Sequence, residues 1–375
     1  MKDTVTQIPT YEDMLAAHER IKPHIHRTPV LTSSFLNDLT GAELFFKCEN
    51  FQKAGAFKVR GASNAVFGLS DDMAAKGVAT HSSGNHALSL SYAAGRRGVP
   101  CNVVMPRTAP EAKKAAVRGY GGTITECEPS TTSREAVFAE VHERTGADFV
   151  HPYNDPRVIA GQATCSRELL AQTEGLDAVI APIGGGGMLS GCCLTLSTLA
   201  PHVEIFGAEP IQADDAARSL HAGRLIADDA PQTVADGLKV PMKELTWHFV
   251  RRHVSDILTV DEEAIVDAMK RVWQRMKIVI EPSCAVPVAA VLANPSVFAG
   301  RRVGIINISV QIRQAVGQCL GVAAEVVQCV QDVPKVFPYV PCFGLVVFKC
   351  FHRLFSRYPI NLPRIIKSTM IIASL

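Results

Sequence analysis

A run of four consecutive glycines constrains the fold of this chain more than any other feature. The four are Gly184, Gly185, Gly186 and Gly187. They follow the apolar residues 178–183 and precede a helix-compatible segment, 188–200, so the order predicts a strand, a glycine turn and a helix. Residues without Cβ let backbone N–H groups converge on an anion, and a helix N-terminus adds partial positive charge. The segment therefore predicts a cradle for a phosphorylated ligand. Glycine runs also form plain tight turns, and this one matches neither the dinucleotide fingerprint nor the phosphate loop with its lysine.

A lysine among small and apolar residues is the second informative feature. Lys58 follows Ala-Gly-Ala-Phe and stands just ahead of an apolar, helix-compatible stretch, 62–69. We expect its amine to be partly desolvated, and desolvation lowers the pKa of a lysine, as a Schiff-base lysine requires. The alternative is a lysine that extends from a helix end into solvent.

The third feature is the hexapeptide His-Ser-Ser-Gly-Asn-His at residues 81–86. It lies between the apolar residues 77–79 and the helix-like residues 87–95. This arrangement predicts another turn from strand to helix, and the turn carries hydroxyl, amide and imidazole groups.

In this order and spacing, the three features resemble the fold-type II pyridoxal-phosphate enzymes. The closest resemblance is to the branch that contains serine racemase and the serine and threonine dehydratases, and it covers roughly residues 10–307. The matching segments are 33–61, 80–86, 184–187, 208–215 and 235–237. Five separated motifs in the family's order are a far more specific signal than any one of them.

The alternation of strand-like and helix-like runs from residue 77 onward predicts an α/β fold with parallel sheets. The resemblance implies a two-domain architecture, similar to tryptophan synthase β, in which helices wrap the sheets. It implies a large domain of residues 1–75 and 150–307 that binds pyridoxal phosphate. A small domain of residues 76–149 is inserted into it, and the cofactor lies in the cleft between the two.

The resemblance assigns the cofactor and catalytic residues. It implies that Lys58 carries pyridoxal phosphate and then acts as the base on one face of the substrate Cα, with the hydroxyl of Ser83 on the opposite face. Two groups on opposite faces suit racemisation, because one removes the α-proton and the other returns a proton. Asn85 matches the residue that hydrogen-bonds the phenolic oxygen of the cofactor, and the four glycines with Met188 match its phosphate site. On the residues alone, Ser83 is as consistent with a helix cap and Asn85 with a turn.

The resemblance also assigns the substrate site. Ser82, Ser83 and His86 would bind the substrate carboxylate, helped by the N-terminus of the following helix. Arg134 and Asp236 match positions close to the substrate. From the residues alone, a structural histidine remains the alternative for His86, and a solvated helix face remains the alternative for Arg134.

An acidic segment predicts a divalent-metal site. Glu209, the main-chain carbonyl of Ala213 and Asp215 lie within seven residues, and such oxygen ligands suit Mg²⁺, Ca²⁺ or Mn²⁺. The resemblance makes this the activating metal site of the family. From the residues alone, a helix cap by the pair Asp214-Asp215 is the preferred interpretation, and the resemblance favours the metal.

Composition limits the partners and the location. The formal net charge is +2 and the chain has no block of basic residues, so nucleic acid is not expected as a partner. The expected partner is a small amino-acid substrate. The start of the chain is polar and no apolar stretch reaches spanning length, which predicts a cytoplasmic protein without a membrane partner.

The eleven cysteines lie without CxxC spacing and predict buried free thiols. The resemblance suggests a homodimer. It leaves open nucleotide activation, which is known in animal members.

The chain departs from the family pattern at its end. Members continue the strand of residues 303–306 into a Ser-Gly-Gly-Asn turn whose serine contacts the pyridine nitrogen, whereas this chain continues Asn307-Ile308-Ser309. Residues 308–375 resemble nothing in the family, which is typical of a frameshift, a retained intron or a gene-model error. A membrane anchor and a partner-binding extension are weaker alternatives, because the longest apolar stretch is short and prolines interrupt it. We expect this form to bind cofactor less well and to have low activity.

These observations favour a pyridoxal-phosphate enzyme that racemises serine and also eliminates its β-hydroxyl, giving pyruvate and ammonia. Threonine dehydratase is the close alternative. An alternative of another class is an inactive homologue or a binding-only subunit, which the altered turn at residues 307–309 favours.

Overall fold

The computed structural model describes residues 7–227 and 231–307. The predicted tail, 308–375, therefore lies outside the described residues. The strands are β1 Val30–Leu31, β2 Glu43–Cys48, β3 Val78–His81, β4 Cys101–Pro106, β5 Thr123–Cys127, β6 Asp148–Phe149, β7 Ala178–Pro182, β8 Glu204–Pro210, β9 Asp256–Val260 and β10 Arg302–Asn307.

The helices cover both sheets. They are α1 Tyr11–Ile21, α2 Ser34–Thr40, α3 Lys58–Phe67, α4 Asp71–Lys76, α5 Asn85–Arg97, α6 Glu111–Gly119, α7 Thr131–Thr145, α8 Pro156–Gln172, α9 Gly187–Leu199, α10 Asp215–Ala222, α11 Glu244–His253, α12 Glu262–Arg271, α13 Pro282–Ala293 and α14 Pro295–Phe298. Short 3₁₀ turns at Glu49–Phe51 and Lys53–Gly55 separate β2 from α3.

The strands form two mostly parallel sheets, which confirms the predicted α/β class. The larger sheet has the order β1-β2-β10-β7-β8-β9, and only the short β1 runs antiparallel to its neighbour. The second sheet has the order β5-β4-β3-β6 and is parallel throughout. Its four strands all come from residues 101–106, 123–127, 78–81 and 148–149, inside the segment predicted as an inserted domain. The domain boundaries themselves stay a prediction.

Local sequence explains where several helices begin and end. Ser33, Ser70, Ser130 and Asp261 each accept a hydrogen bond from a backbone N–H in the first turn of the helix they precede, which satisfies a donor that the helix leaves unpaired. Gly146 ends α7 at φ +61°, where a side chain would be strained.

The helix that carries Lys58 begins at that residue, four residues before the segment that its apolar pattern indicated. A buried ionic network anchors its first turn. The guanidinium of Arg60 is fully buried and contacts Glu49 at 2.7 and 2.8 Å and Glu168 at 2.8 and 2.9 Å. The amine of Lys47 donates to Glu168 at 2.7 Å. These bonds join α3 to β2, to the turn after it and to α8, so the backbone around Lys58 is held from three sides.

Two compositional predictions can be compared with the described residues. Their seven cysteines are all buried, as expected: Cys48, Cys101, Cys127, Cys165, Cys192, Cys193 and Cys284. Among the same residues, no helix has both the length and the apolar character needed to cross a membrane.

Candidate active site

The predicted site residues follow the carboxyl ends of neighbouring parallel strands. In the larger sheet, β2 leads to the Lys58 segment, β7 to the four glycines, and β10 ends at Asn307 between them. In the second sheet, β3 leads to the Ser82–Ser83 turn. Carboxyl ends of parallel strands meet at one edge of a sheet, which is where open α/β proteins bind ligands.

Lys58 is the first residue of α3, and its amine donates to the main-chain carbonyl of Pro152 at 2.7 Å. In the 3₁₀ turn ahead of it, Ala54 has φ +54°, which is uncommon without glycine and shows that the surrounding packing holds this backbone. Burial lowers the pKa of the Lys58 amine to about 8. A sizeable fraction of this amine is therefore neutral near physiological pH and able to act as a nucleophile or a base.

The four glycines form a turn that has no room for side chains. A Cβ on Gly185 would lie 2.5 Å from the Tyr153 ring, one on Gly187 would lie 2.8 Å from the Tyr153 Cβ, and one on Gly184 would lie 2.8 Å from Leu238. Gly186 has φ +83° and precedes α9. The first intrahelical bond runs from the Ser190 N–H to the Gly186 carbonyl, so the N–H groups of the first turn remain for a ligand.

The Ser82–Ser83 turn leads directly into α5. The Gly84 N–H donates to the Ser82 hydroxyl at 3.3 Å, and the first intrahelical bond runs from Leu88 to Gly84. The backbone N–H groups ahead of this bond lie at the N-terminus of α5, whose partial positive charge favours an anion. The Asn85 amide donates to Glu281 at 3.4 Å.

Two histidines beside this turn are held neutral. The Nε2 of His86 lies 3.0 Å from the Val150 carbonyl, which can only accept, so Nε2 carries the proton. Burial lowers the pKa of His86 to about 3 and that of His151 to about 2, with the nearby lysines adding to both shifts. The buried Nδ1 of His86 is then an acceptor and has no partner among the described residues. The predicted carboxylate contact at His86 therefore depends on its backbone N–H.

Arg134 and Asp236 lie on different parts of the structure. Asp236 forms an ion pair with Lys113 of α6 at 3.3 Å. The charge of Arg134, together with burial, lowers the pKa of His81, the last residue of β3. The Nε of Arg134 is buried without a partner in the described part of the chain. Arg134 thus lies near the strand end that precedes the Ser82–Ser83 turn, and its proximity to substrate stays a prediction.

The predicted metal ligands gather at the carboxyl end of β8. Both oxygens of the buried Glu209 accept backbone N–H groups, from Ala216 at 3.2 Å and from Ala217 at 3.0 Å. Burial, reinforced by the negative charge of Asp215, raises the pKa of Glu209 to about 9. The two carboxylates are thus close enough to repel. In the described residues, no cluster of three or more His, Cys, Asp or Glu side chains could hold a metal.

Asn307 is fully buried at the end of β10, where the chain departs from the predicted family pattern. Neither its amide oxygen nor its amide nitrogen has a hydrogen-bond partner within the described ranges. Buried amides without partners are rare in folded proteins, so this one indicates a polar group that completes the site.

These features fit pyridoxal phosphate. The glycine turn with its N–H groups suits a phosphate, the Lys58 amine suits an aldehyde, and the amides of Asn85 and Asn307 can meet polar ring atoms. The family model described as "Pyridoxal-phosphate dependent enzyme" matches residues 21–308. The chain belongs to this family.

Similarity to known proteins indicates to which group of this family the chain belongs. The chain is 73% identical over 299 residues to a "beta-hydroxyaspartate dehydratase" of Paracoccus denitrificans. The aligned region covers 80% of this chain and 95% of the relative. The crystal structure of serine racemase from Dictyostelium discoideum matches with a TM-score of 0.78 and 46% identity, over 81% of this chain and 99% of that one. The crystal structure of a T.th. threonine deaminase matches with a TM-score of 0.77 and 42% identity, over 80% and 98%. The enzyme is therefore a pyridoxal-phosphate-dependent β-elimination enzyme of the serine racemase group.

Sequence reasoning missed several residues that shape the site. The Pro152 carbonyl, Glu281 and Lys113 each contact a predicted site residue but are distant from it in sequence. Tyr153 fills the space beside the glycines, and its hydroxyl donates to the Pro241 carbonyl at 2.9 Å. No local pattern marks these residues, because each becomes important only through its tertiary neighbour.

Proposed function

We propose that this enzyme dehydrates 3-hydroxyaspartate. Loss of water gives an enamine that tautomerises to an imine, and hydrolysis of this imine by water gives ammonia and the corresponding 2-oxo acid. The observation that carries the proposal is the 73% identity to a β-hydroxyaspartate dehydratase over 95% of that relative. The cationic surroundings of the site support it, because a substrate with two carboxylates adds a charge that serine lacks.

The chain's own groups have separable tasks in this reaction. The N–H groups at the start of α9 would bind the cofactor phosphate, and those at the start of α5 would bind the substrate α-carboxylate. The Lys58 amine would take the α-proton, since its lowered pKa leaves it partly neutral and the Pro152 carbonyl fixes its direction. When bound, pyridoxal phosphate supplies the electron sink that stabilises negative charge at Cα. The β-hydroxyl would then leave as water with a proton, for which the one that Lys58 took from Cα is available.

Serine racemase with serine dehydratase activity is the second candidate. Ser83 supports it, because its hydroxyl lies in the turn after β3 and could return a proton to the face of Cα opposite Lys58. The likeness to the serine racemase structure supports it as well. Threonine dehydratase, which the threonine deaminase structure supports, would differ only in the substrate's methyl group.

A divalent cation at Glu209, the Ala213 carbonyl and Asp215 belongs to the same proposal. Burial and, to a smaller extent, repulsion from Asp215 raise the pKa of Glu209, and a cation between the two carboxylates would relieve this repulsion. Magnesium should therefore raise the melting temperature of the full-length protein, and Glu209→Gln should abolish that increase. An equal increase in both proteins would exclude this position.

Product analysis of the full-length holoenzyme tests the proposed function. The purified protein is loaded with pyridoxal phosphate and given each diastereomer of 3-hydroxyaspartate, then L-serine and L-threonine. We expect ammonia and a 2-oxo acid from one 3-hydroxyaspartate diastereomer, with a kcat/KM well above that for serine. D-serine as the main product would favour the second candidate. A protein that takes up cofactor but turns over none of these substrates would be the inactive homologue expected from the altered strand end.

A further inference from the structure

Lys243 was not among the residues that the sequence marked, yet it lies beside the site. It occupies the N-cap position of α11, and its main-chain N–H donates to the Thr246 hydroxyl at 3.1 Å. A lysine is unfavourable there for two reasons. Its ammonium group cannot accept a hydrogen bond from the helix, unlike Ser, Thr, Asp or Asn, and its charge meets the positive end of the helix dipole.

Packing places the segment around Lys243 against the cofactor-binding elements. The Leu245 N–H donates to the side chain of Asn154 at 3.2 Å, and the Pro241 carbonyl accepts from the Tyr153 hydroxyl at 2.9 Å. A Cβ on Gly186 would lie 3.0 Å from Thr246 and 3.5 Å from Met242. The segment 241–246, which contains Lys243, therefore packs against both Tyr153–Asn154 and the glycine turn.

The charge of Lys243 acts on the same histidines as the catalytic lysine. After burial, it is the largest cause of the lowered pKa of His151, to which Lys58 also contributes. It also lowers the pKa of His81, as Arg134 does. The positive charges of Lys58, Lys243 and Arg134 thus all act on the histidines beside the Ser82–Ser83 turn. Such a concentration of positive charge favours a ligand with more negative charge than one α-carboxylate.

We propose that Lys243 is the specificity-determining residue that binds the second carboxylate of an acidic β-hydroxy amino acid. This inference rests on the proposed function and adds a residue for its substrate preference. Lys243 does not take part in the proton transfer at Lys58. It would discriminate between 3-hydroxyaspartate and serine by a charge-assisted hydrogen bond that serine cannot make.

The test compares Lys243→Gln with Lys243→Arg and with Lys239→Gln in the full-length holoenzyme. Lys239 lies in the same segment and is exposed, which makes it a matched control for loss of one positive charge. For Lys243→Gln we expect the ratio of kcat/KM for 3-hydroxyaspartate to that for serine to fall by about 50-fold or more. Lys243→Arg should recover most of this ratio, and Lys239→Gln should keep it.

A binding measurement covers the case in which turnover is weak. Aspartate has both carboxylates but no β-hydroxyl to eliminate, and alanine lacks the second carboxylate. Calorimetric titration should show that Lys243→Gln weakens aspartate about 50-fold and alanine far less. An unchanged aspartate-to-alanine preference would overturn the inference.

The outcomes separate this inference from the proposed function. Turnover of 3-hydroxyaspartate by both wild type and Lys243→Gln, with the same preference over serine, would leave the function standing and remove Lys243 from it. A wild-type enzyme that prefers serine would contradict the proposed function instead. A weaker affinity for pyridoxal phosphate in Lys243→Gln, without a change in substrate preference, would assign the charge of Lys243 to the cofactor phosphate and also overturn the inference.

Discussion

Arg60 and Lys58 stand two residues apart in the first turn of one helix, but their surroundings differ. The guanidinium of Arg60 is buried between the carboxylates of Glu49 and Glu168, which raise its pKa above the usual range. The Lys58 amine is dehydrated as well, but it donates to the neutral Pro152 carbonyl, and its pKa falls to about 8. Burial alone therefore disfavours the charged form and lowers the pKa, whereas burial beside carboxylates stabilises the charged form and raises the pKa. The arrangement at Lys58 provides a reactive amine, and the arrangement at Arg60 holds the backbone that positions this amine.

The largest effect is expected from Lys58→Met. Elimination activity should fall by at least about 10³-fold, because both the nucleophile and the base are removed. The free energy of unfolding of the cofactor-free protein at pH 7 should not decrease. A lysine whose folded-state pKa is lowered is penalised in the folded state below about pH 8, and this penalty is relieved only as pH rises from 8 toward 10.5. Steady-state assays and urea unfolding measure the two quantities, with Lys53→Met as the control.

Glu49→Gln, in contrast, should reduce the free energy of unfolding. It leaves Arg60 buried with one carboxylate fewer, so we expect a loss of about 3–5 kcal/mol in the free energy of unfolding. The control is Glu43→Gln, which removes one partner of the exposed ion pair with Arg302 and should lose less than about 1 kcal/mol. Denaturant titration of the cofactor-free proteins gives both values. Equal losses would show that burial of the Arg60 network is energetically unimportant.

The smallest effect is the pH dependence of cofactor attachment. If the pKa of Lys58 is about 8, the neutral fraction of its amine rises about tenfold between pH 7 and pH 9 and then levels off. The rate at which the full-length protein takes up pyridoxal phosphate covalently, followed by visible absorbance, should have this shape. A rate that keeps rising tenfold per pH unit to pH 10 would mean that Lys58 has the pKa of an ordinary exposed lysine.

Much of the architecture was accessible from sequence because it is encoded locally. The apolar run at residues 178–183 became β7, Ala178–Pro182, because a continuous apolar run before a glycine turn suits a strand buried in a parallel sheet. The glycine turn was equally accessible, because four residues without Cβ permit a backbone approach that no other sequence allows.

The remaining features depended on long-range contacts. Arg60 and Glu168 are 108 positions apart, and Lys58 and the Pro152 carbonyl are 94 apart, so no window of sequence pairs them. The local sequence does not identify Lys243 as a site residue either. Its unfavourable position as a helix cap has a functional interpretation only because α11 packs beside Tyr153 and the glycine turn.

The sequence by itself determined the kind of chemistry: a reactive lysine, a phosphate cradle and alternating strands and helices, because each is a property of a few consecutive residues. Only the tertiary structure decided which buried cation is paired and which is reactive, and which positive charge borders the substrate space. Pairing and dehydration depend on distances between segments that are far apart in the chain, and the fold alone sets those distances.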